Sequence, residues 1–313
     1  MGNYVVESKE ILQPINDEES NHRFSLWYHP IYTNGIHPDA RFPRDRYTKL
    51  IDNLNTPEYS DKFIIEQPTE ASRKELIIAH DPYYVDNFLN QNLTEKEIKR
   101  IGLTPWTPQI IPRTLLLIGG AIAALDHVMQ NGGIAGNMAG GTHHAHYDFG
   151  SGYCIFNDLA VCSLLALSKY DVTKIAVVDF DVHQGDGTAT ILQNVDKVLT
   201  ISVHCRQNFP FRKSESDYDL ELPANSGDEE MLAMVAKALE IAKQFDPELI
   251  LFQAGVDGLA TDALGKLNIS RQGMSKRNEM VFDLAVEQLI PTVVFMGGGY
   301  SDPIHHTIDA FSD

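Results

Sequence analysis

Asp179, Asp181 and His183 stand at alternate positions in KIAVVDFDVHQGDGT, Lys174 to Thr188, directly after the apolar run Ile175-Ala176-Val177-Val178. That run has the β-branched character of a buried strand. Alternate side chains of an extended strand share a face, so the spacing predicts two carboxylates and an imidazole projecting together where the strand ends. Burying unpaired charge is costly, and the partner that suits this set is a divalent metal. Asp257, in Gly255-Val256-Asp257 after another apolar run, completes a ligand set with Asp181 and His183. Three protein ligands leave one position open, as catalytic rather than structural sites do. Such a metal polarises a carbonyl and lowers the pKa of a bound water. His143 and His144 follow Gly140-Gly141-Thr142; one imidazole can take the water's proton and the other can protonate a leaving group. Asp179 and Asp186 then remain to orient the two rings. Tyr300, after Gly297-Gly298-Gly299, can donate a hydrogen bond to the developing oxyanion. Each feature alone has an ordinary reading as a cap, a turn or a packed side chain. Their joint arrival at strand ends points to chemistry.

Those strand ends follow from a coarse reading of the chain. Strands are predicted at Phe24 to His29, Ile134 to Met138, Ile175 to Phe180, Val198 to His204, Leu249 to Ala254 and Thr292 to Met296. Helices are predicted at Arg44 to Leu54, Thr69 to Ala79, Pro82 to Leu89, Pro112 to Met129, Asn157 to Ser168, Asp186 to Gln193, Asp228 to Gln244 and Arg271 to Leu289. Asn92 to Gly102 reads as a charged, exposed segment. Alternation of strand and helix argues for an α/β fold, a parallel sheet with helices on both faces, in which functional groups gather beyond the carboxyl ends of the strands. With no repeat or linker in view, residues 1–313 read as a single domain whose first 20 residues are expected to be flexible.

Composition narrows the partners. At 43% hydrophobic and 22% charged the chain is expected to be globular with ample core. A net charge of -18 argues against a nucleic-acid partner, which needs a Lys/Arg surface. No apolar run reads as long enough to span a membrane: Leu115 to Val128 is interrupted by Gly119-Gly120 and Asp126 and is expected to be a buried helix. The N-terminus lacks the features of a secretory signal. Met1-Gly2 is followed by Val6 where a myristoylation signal has Ser or Thr. Cys154, Cys162 and Cys205 lack metal-type spacing and are expected to be reduced thiols of a cytoplasmic protein.

The same residues make the chain resemble the zinc-dependent histone deacetylase superfamily, which includes acetylpolyamine amidohydrolases and acetoin-utilisation proteins. The matching motifs are GGTHHAHYDFGSGYCIFND, VVDFDVHQGDGT, TISVH, QAGVD and GGGYS, with weaker HPDARFP and AHDPYYVDNFL. SDYDLELP and NFPFRKS are most like its bacterial, class IV-like branch. The resemblance runs from about Phe24 to the C-terminus and implies the arginase/deacetylase fold. It implies zinc on Asp181, His183 and Asp257, with Fe(II) or Co(II) compatible with the same ligands. It also implies His143 and His144 as the acid/base pair backed by Asp179 and Asp186, and Tyr300 as the carbonyl clamp. A monovalent cation, K+ or Na+, is implied at Asp179, Asp181, His183, Ser202 and the Val203 backbone, and a second near Leu192, Val195, Val198 and Tyr218. Gly152, Tyr153 and Phe209 match the walls of an acyl-lysine tunnel, and Arg41 is placed beside a product-release channel. Cys154 falls next to the pocket and reads as packing.

Departures from the family pattern qualify the substrate. Tyr153 adds a hydroxyl to a wall that is often Phe, and Gln184 replaces a frequent second His in a change that reads as silent. The loop Gly102 to Pro108 has no Asp to hold a peptide backbone. Leu264 stands where polyamine-selective members tend to carry Glu, which weakens a polyamine substrate. The expected activity is a metal-dependent hydrolase removing acetyl or short acyl groups from lysine side chains of proteins or peptides. The alternatives are an acetylated small amine as substrate, or an acyl-lysine binder without turnover. A two-metal ureohydrolase is disfavoured because too few bridging carboxylates are present.

Overall fold

The computed structural model describes residues 23–313; the stretch 1–20 and the Met1-Gly2 start lie outside the described residues. The strands are β1 (Phe24–Trp27), β2 (Phe63–Glu66), β3 (Ile134–Asn137), β4 (Ile175–Asp179), β5 (Val198–Cys205), β6 (Tyr218–Leu222), β7 (Leu249–Gln253) and β8 (Thr292–Phe295). They form one wholly parallel sheet in the order β2-β1-β3-β8-β7-β4-β5-β6. The central strands are apolar on both sides because both sides are covered. In β4, Ile175 and Val177 enter one core while Ala176 and Val178 enter the other. In β7, Leu249 and Leu251 part from Ile250 and Phe252 in the same way. The first core is completed by the helices Ile110–Asn131 and Asp158–Lys169, the second by Asp228–Phe245 and Arg271–Glu287. Each Val, Leu, Ile or Phe side chain so buried contributes about 1.5–3 kcal/mol.

The helix Ile110–Asn131 is longer than the sequence suggests and, by length and composition alone, could cross a membrane. It is instead mostly buried, with Leu117, Ile118, Ala121 and Leu125 in the first core against β1, β3 and β8. The helix expected over Thr69 to Ala79 shrinks to Arg73–Leu76, capped by Ser72 and Glu75. Residues before it are irregular and lie against the long helix, where Ala71 N–H donates to Leu115 O (3.0 Å). Gly119 permits that approach, since a Cβ there would collide with Thr69 O. Asn92 to Gly102 is not simply an exposed segment. It contains the helix Glu95–Ile101, opened by a Thr94/Glu97 capping box and anchored by buried Ile101.

Candidate active site

The chain passes from β3 to β4 leaving two places vacant in the sheet, and β7 and β8 later fill them. The four strand ends singled out in the sequence are therefore the four central neighbours β3, β8, β7 and β4, around the point where strand order reverses. The β3 and β8 loops touch back to back. Gly141, at φ +72°, sits so close that an added Cβ would lie 2.6 Å from Gly297 Cα.

Asp179, Asp181 and His183 do converge, but not by strand alternation. β4 ends at Asp179, and the chain then bends. Asp181 N–H donates to Asp179 Oδ1 (3.1 Å) and His183 N–H to Asp181 Oδ1 (3.0 Å). His183 Nδ1 lies 3.0 Å from both Asp181 Oδ1 and Asp257 Oδ2. One ligand atom from each of the three falls within 4.8 Å of the others, and all three residues are buried. Burial and the charge of Asp181 push Asp257 up to about 7. Burial would also raise Asp181, but the imidazoles of His143 and His183 hold it well below the usual carboxylate range. Two buried carboxylates and one imidazole aimed at a single point form a donor set that fits a divalent cation.

The two histidines next to this cluster differ. His143 Nδ1 is 2.7 Å from Asp179 Oδ2 and His144 Nδ1 is 2.7 Å from Asp186 Oδ1. Burial depresses His143, yet Asp179 and Asp181 outweigh it and lift the ring to about 9. Burial and then the neighbouring His143 carry His144 down to about 4. A cation on Asp181 would offset part of the lift on His143 and lower His144 further. Asp186 also meets His146 Nε2 at 3.1 Å.

A scaffold that the sequence did not reveal holds the His-His loop. Asp158 accepts from the Gly141 and Thr142 N–H groups (2.8 Å each). Asn157 Nδ2 donates to Ala145 O (3.1 Å) and Thr188 Oγ1 (3.0 Å), and Asn157 N–H donates to His80 Nε2 (2.8 Å). Asp158 and Asn157 lie inside a quoted motif, and an Asn-Asp pair opening a helix was the signal available. On the β8 side, Tyr300 N–H donates to Asp262 Oδ2 (2.6 Å), and Asp262 Oδ1 accepts from Leu264 and Gly265 N–H (2.8 Å each). Burial pushes the Tyr300 hydroxyl well above 10, so it stays protonated.

A cavity of about 500 Å3 opens onto His143, His144, Asp181, His183 and Tyr300. Gly152, Tyr153, Phe209 and Leu264 all line it. The Phe209 ring packs 4.8 Å from His144, and the Tyr153 ring 6.0 Å from Tyr300. Tyr153 adopts φ +67°, rare for a side-chain-bearing residue, and its N–H is tied to Ile101 O (2.8 Å). Cys154 also lines the cavity, but it is buried, which pushes its thiol up. Arg41 is exposed and outside the lining; the buried arginines there are Arg46 and Arg113. Arg46 donates to Gly297 O (3.0 Å) and Gly299 O (3.2 Å), bracing the loop that carries Tyr300. The Gln184 amide bonds to Ser214 O, Ser214 N–H and Asp219 Oδ1, tying the loop after Phe209 to β6.

For the monovalent site, Ser202 lies beside Asp179 in the β4–β5 register, with Val203 next to it, and its Oγ is 2.9 Å from His204 Nδ1. Near the second, Leu192 O and Val195 O accept from Val195 and Val198 N–H, and Tyr218 is exposed. Cys154, Cys162 and Cys205 are all buried free thiols.

Residues 40–310 match the family model described as the histone deacetylase domain. The chain is 38% identical over 286 residues to a Picosynechococcus protein described as uncharacterized, covering 91% of this chain and 95% of that one. It is 30% identical to histone deacetylase 2 of Arabidopsis thaliana, covering 85% and 70%. A probable deacetylase of Archaeoglobus fulgidus is 29% identical, covering 85% and 77%. The crystal structure of the HDA15 HD domain superposes with a TM-score of 0.77 over 93% of this chain and 88% of that one, at 21% identity, and so shares the fold. The chain belongs to the histone deacetylase family.

Proposed function

We propose that the protein is a metal-dependent amidohydrolase that removes acetyl or other short acyl groups from lysine side chains. Family membership supports a histone-deacetylase-like hydrolase. The observation that carries the finer reading is the unequal His143/His144 pair facing Asp181, His183 and Asp257 at the base of an aromatic-walled cavity. A divalent cation on those three ligands, zinc first and Fe(II) or Co(II) by the same donors, would polarise the substrate carbonyl and lower the pKa of a nearby water.

The chain's own groups supply the rest. His144, neutral and fixed through Nδ1 by Asp186, accepts a proton at Nε2. His143, anchored through Nδ1 by Asp179, delivers one from Nε2 to the departing amine. The protonated Tyr300 hydroxyl donates to the oxygen that gains charge. Tyr153 and Phe209 flank the aliphatic stem of the lysine and exclude water, with Gly152 and Leu264 completing the wall. K+ or Na+ at Asp179, Asp181, His183, Ser202 and Val203 would offset the carboxylates behind the divalent site. The buried free thiols suit a reducing, cytoplasmic setting.

The test is release of acyl groups by the metal-loaded protein from acyl-lysine peptides and from acetylputrescine, with and without chelator. Tyr300→Phe and His144→Ala should each lower kcat by roughly 100-fold or more, with KM little changed. Undiminished turnover in either variant would overturn the mechanism, and release from acetylputrescine alone would move the substrate to small amines.

A further inference from the structure

The cavity's outer end has a charge opposite to that of the molecule. The exposed members of its lining are Arg100, Phe211, Leu264 and Lys266. The chain carries a net charge of -18, yet among the described residues of the lining the one carboxylate is Asp181, buried at the base. Both cations are held in place without a carboxylate. The Arg100 guanidinium lies over the Phe149 ring, 4.6 Å from its centroid, and Lys266 Nζ donates to Gln207 O (2.9 Å). Glu97, one turn before Arg100, is turned away to cap its own helix, its Oε2 accepting from Thr94 N–H (2.7 Å) and Thr94 Oγ1 (2.6 Å).

We propose that this mouth selects acyl-lysine in an acidic peptide, with carboxylates flanking the lysine meeting Arg100 and Lys266. The inference rests on the amidohydrolase reading and names its substrate class. Two exposed cations without a carboxylate partner attract an anion locally, at close range, against the chain's net charge of -18. Phe211, 86% exposed, and Leu264, 44% exposed, place apolar surface beside them for the aliphatic parts of the same peptide. A protonated polyamine would instead bring its charge against two fixed cations. Exposed ion pairs are weak singly, so two acting together give a preference of about tenfold.

The experiment uses blocked peptides of equal length with acetyl-lysine flanked by Glu, by Ser or by Lys, together with free Nε-acetyl-lysine. Turnover by the metal-loaded protein gives kcat/KM, and fluorescence anisotropy of the labelled peptides gives Kd without requiring turnover. The Glu peptide should exceed the Ser peptide by about tenfold at low salt, with most of the margin lost at about 0.5 M salt. The double variant Arg100→Glu/Lys266→Glu should reverse the order of Glu and Lys peptides. Equal or reversed preference in the unaltered protein overturns the inference. Free acetyl-lysine matching the Glu peptide overturns the peptide as the source of the carboxylate. Preferential binding of the Glu peptide with no acyl release sustains the mouth assignment and overturns the hydrolase reading instead.

Discussion

His80 bears on the His-His loop without lining the cavity. Its Nδ1 lies 3.0 Å from His146 O and its Nε2 accepts from Asn157 N–H, so the ring is wanted neutral, with its proton on Nδ1. Burial lowers its pKa from 6.5 to about 4. Below pH 6.5 the unfolded chain binds a proton that the folded ring refuses until about pH 4. This contribution to stability is therefore complete above pH 6.5 and is lost as pH falls through that window. By pH 5 the loss is about 2 kcal/mol. Urea midpoints at pH 7 and pH 5 should fall more for the unaltered protein than for His80→Gln; equal falls would show that His80 is not held neutral. At this scale the residues that gather at the cavity's base were legible because their types and their places after apolar runs are unusual. His80 was not, since its partner Asn157 is 77 positions away and nothing local marks a histidine as a buried acceptor.

Elements need one another at the ends of β4 and β7, where the chain turns off to carry Asp181, His183 and Asp257. There the carbonyls of Phe180, Ala254 and Gly255 accept from Arg277, a buried side chain of the helix Arg271–Glu287. Burial draws this guanidinium down to about 10, so it remains charged at neutral pH, and it lies close enough to Asp257, Asp181 and Asp179 to offset part of their charge. Arg277→Met should cost about 3–5 kcal/mol, read as a lowered urea midpoint. An unshifted midpoint would mean that water replaces the guanidinium. The central strands were plain in the sequence because both their faces are apolar. β2 (FIIE) and β6 (YDLEL) were not, because edge strands with one half-exposed face look like ordinary loop sequence. The shortened helix after Ser72 was misjudged because the contact at Gly119 that holds the chain is tertiary.

Across the whole molecule, Asp181 comes from the β4 side and Asp257 from the β7 side, so a cation between them ties two central strands in the folded state only. Saturation at about a thousand times Kd would add about 4 kcal/mol. Chelator should lower Tm and zinc should restore it. Asp257→Asn relieves the carboxylate repulsion, so its chelated form should melt above the chelated unaltered protein while gaining little from zinc. A melting curve indifferent to chelator and zinc would remove the metal from the reading. The parallel α/β class and the meeting of four strand ends were legible, but the strand order was not, since it depends on which edges find each other in space. That order also governs synthesis. A ribosome delivers β1 through β6 first, when β3 and β4 each have an inner edge waiting for strands still to be translated. Asp257 and Tyr300 arrive last. The nascent chain thus passes through a stage with two inner edges unpaired, the kind that chaperones shield, and a half-made copy lacks the Asp257 and Tyr300 side of the cavity altogether.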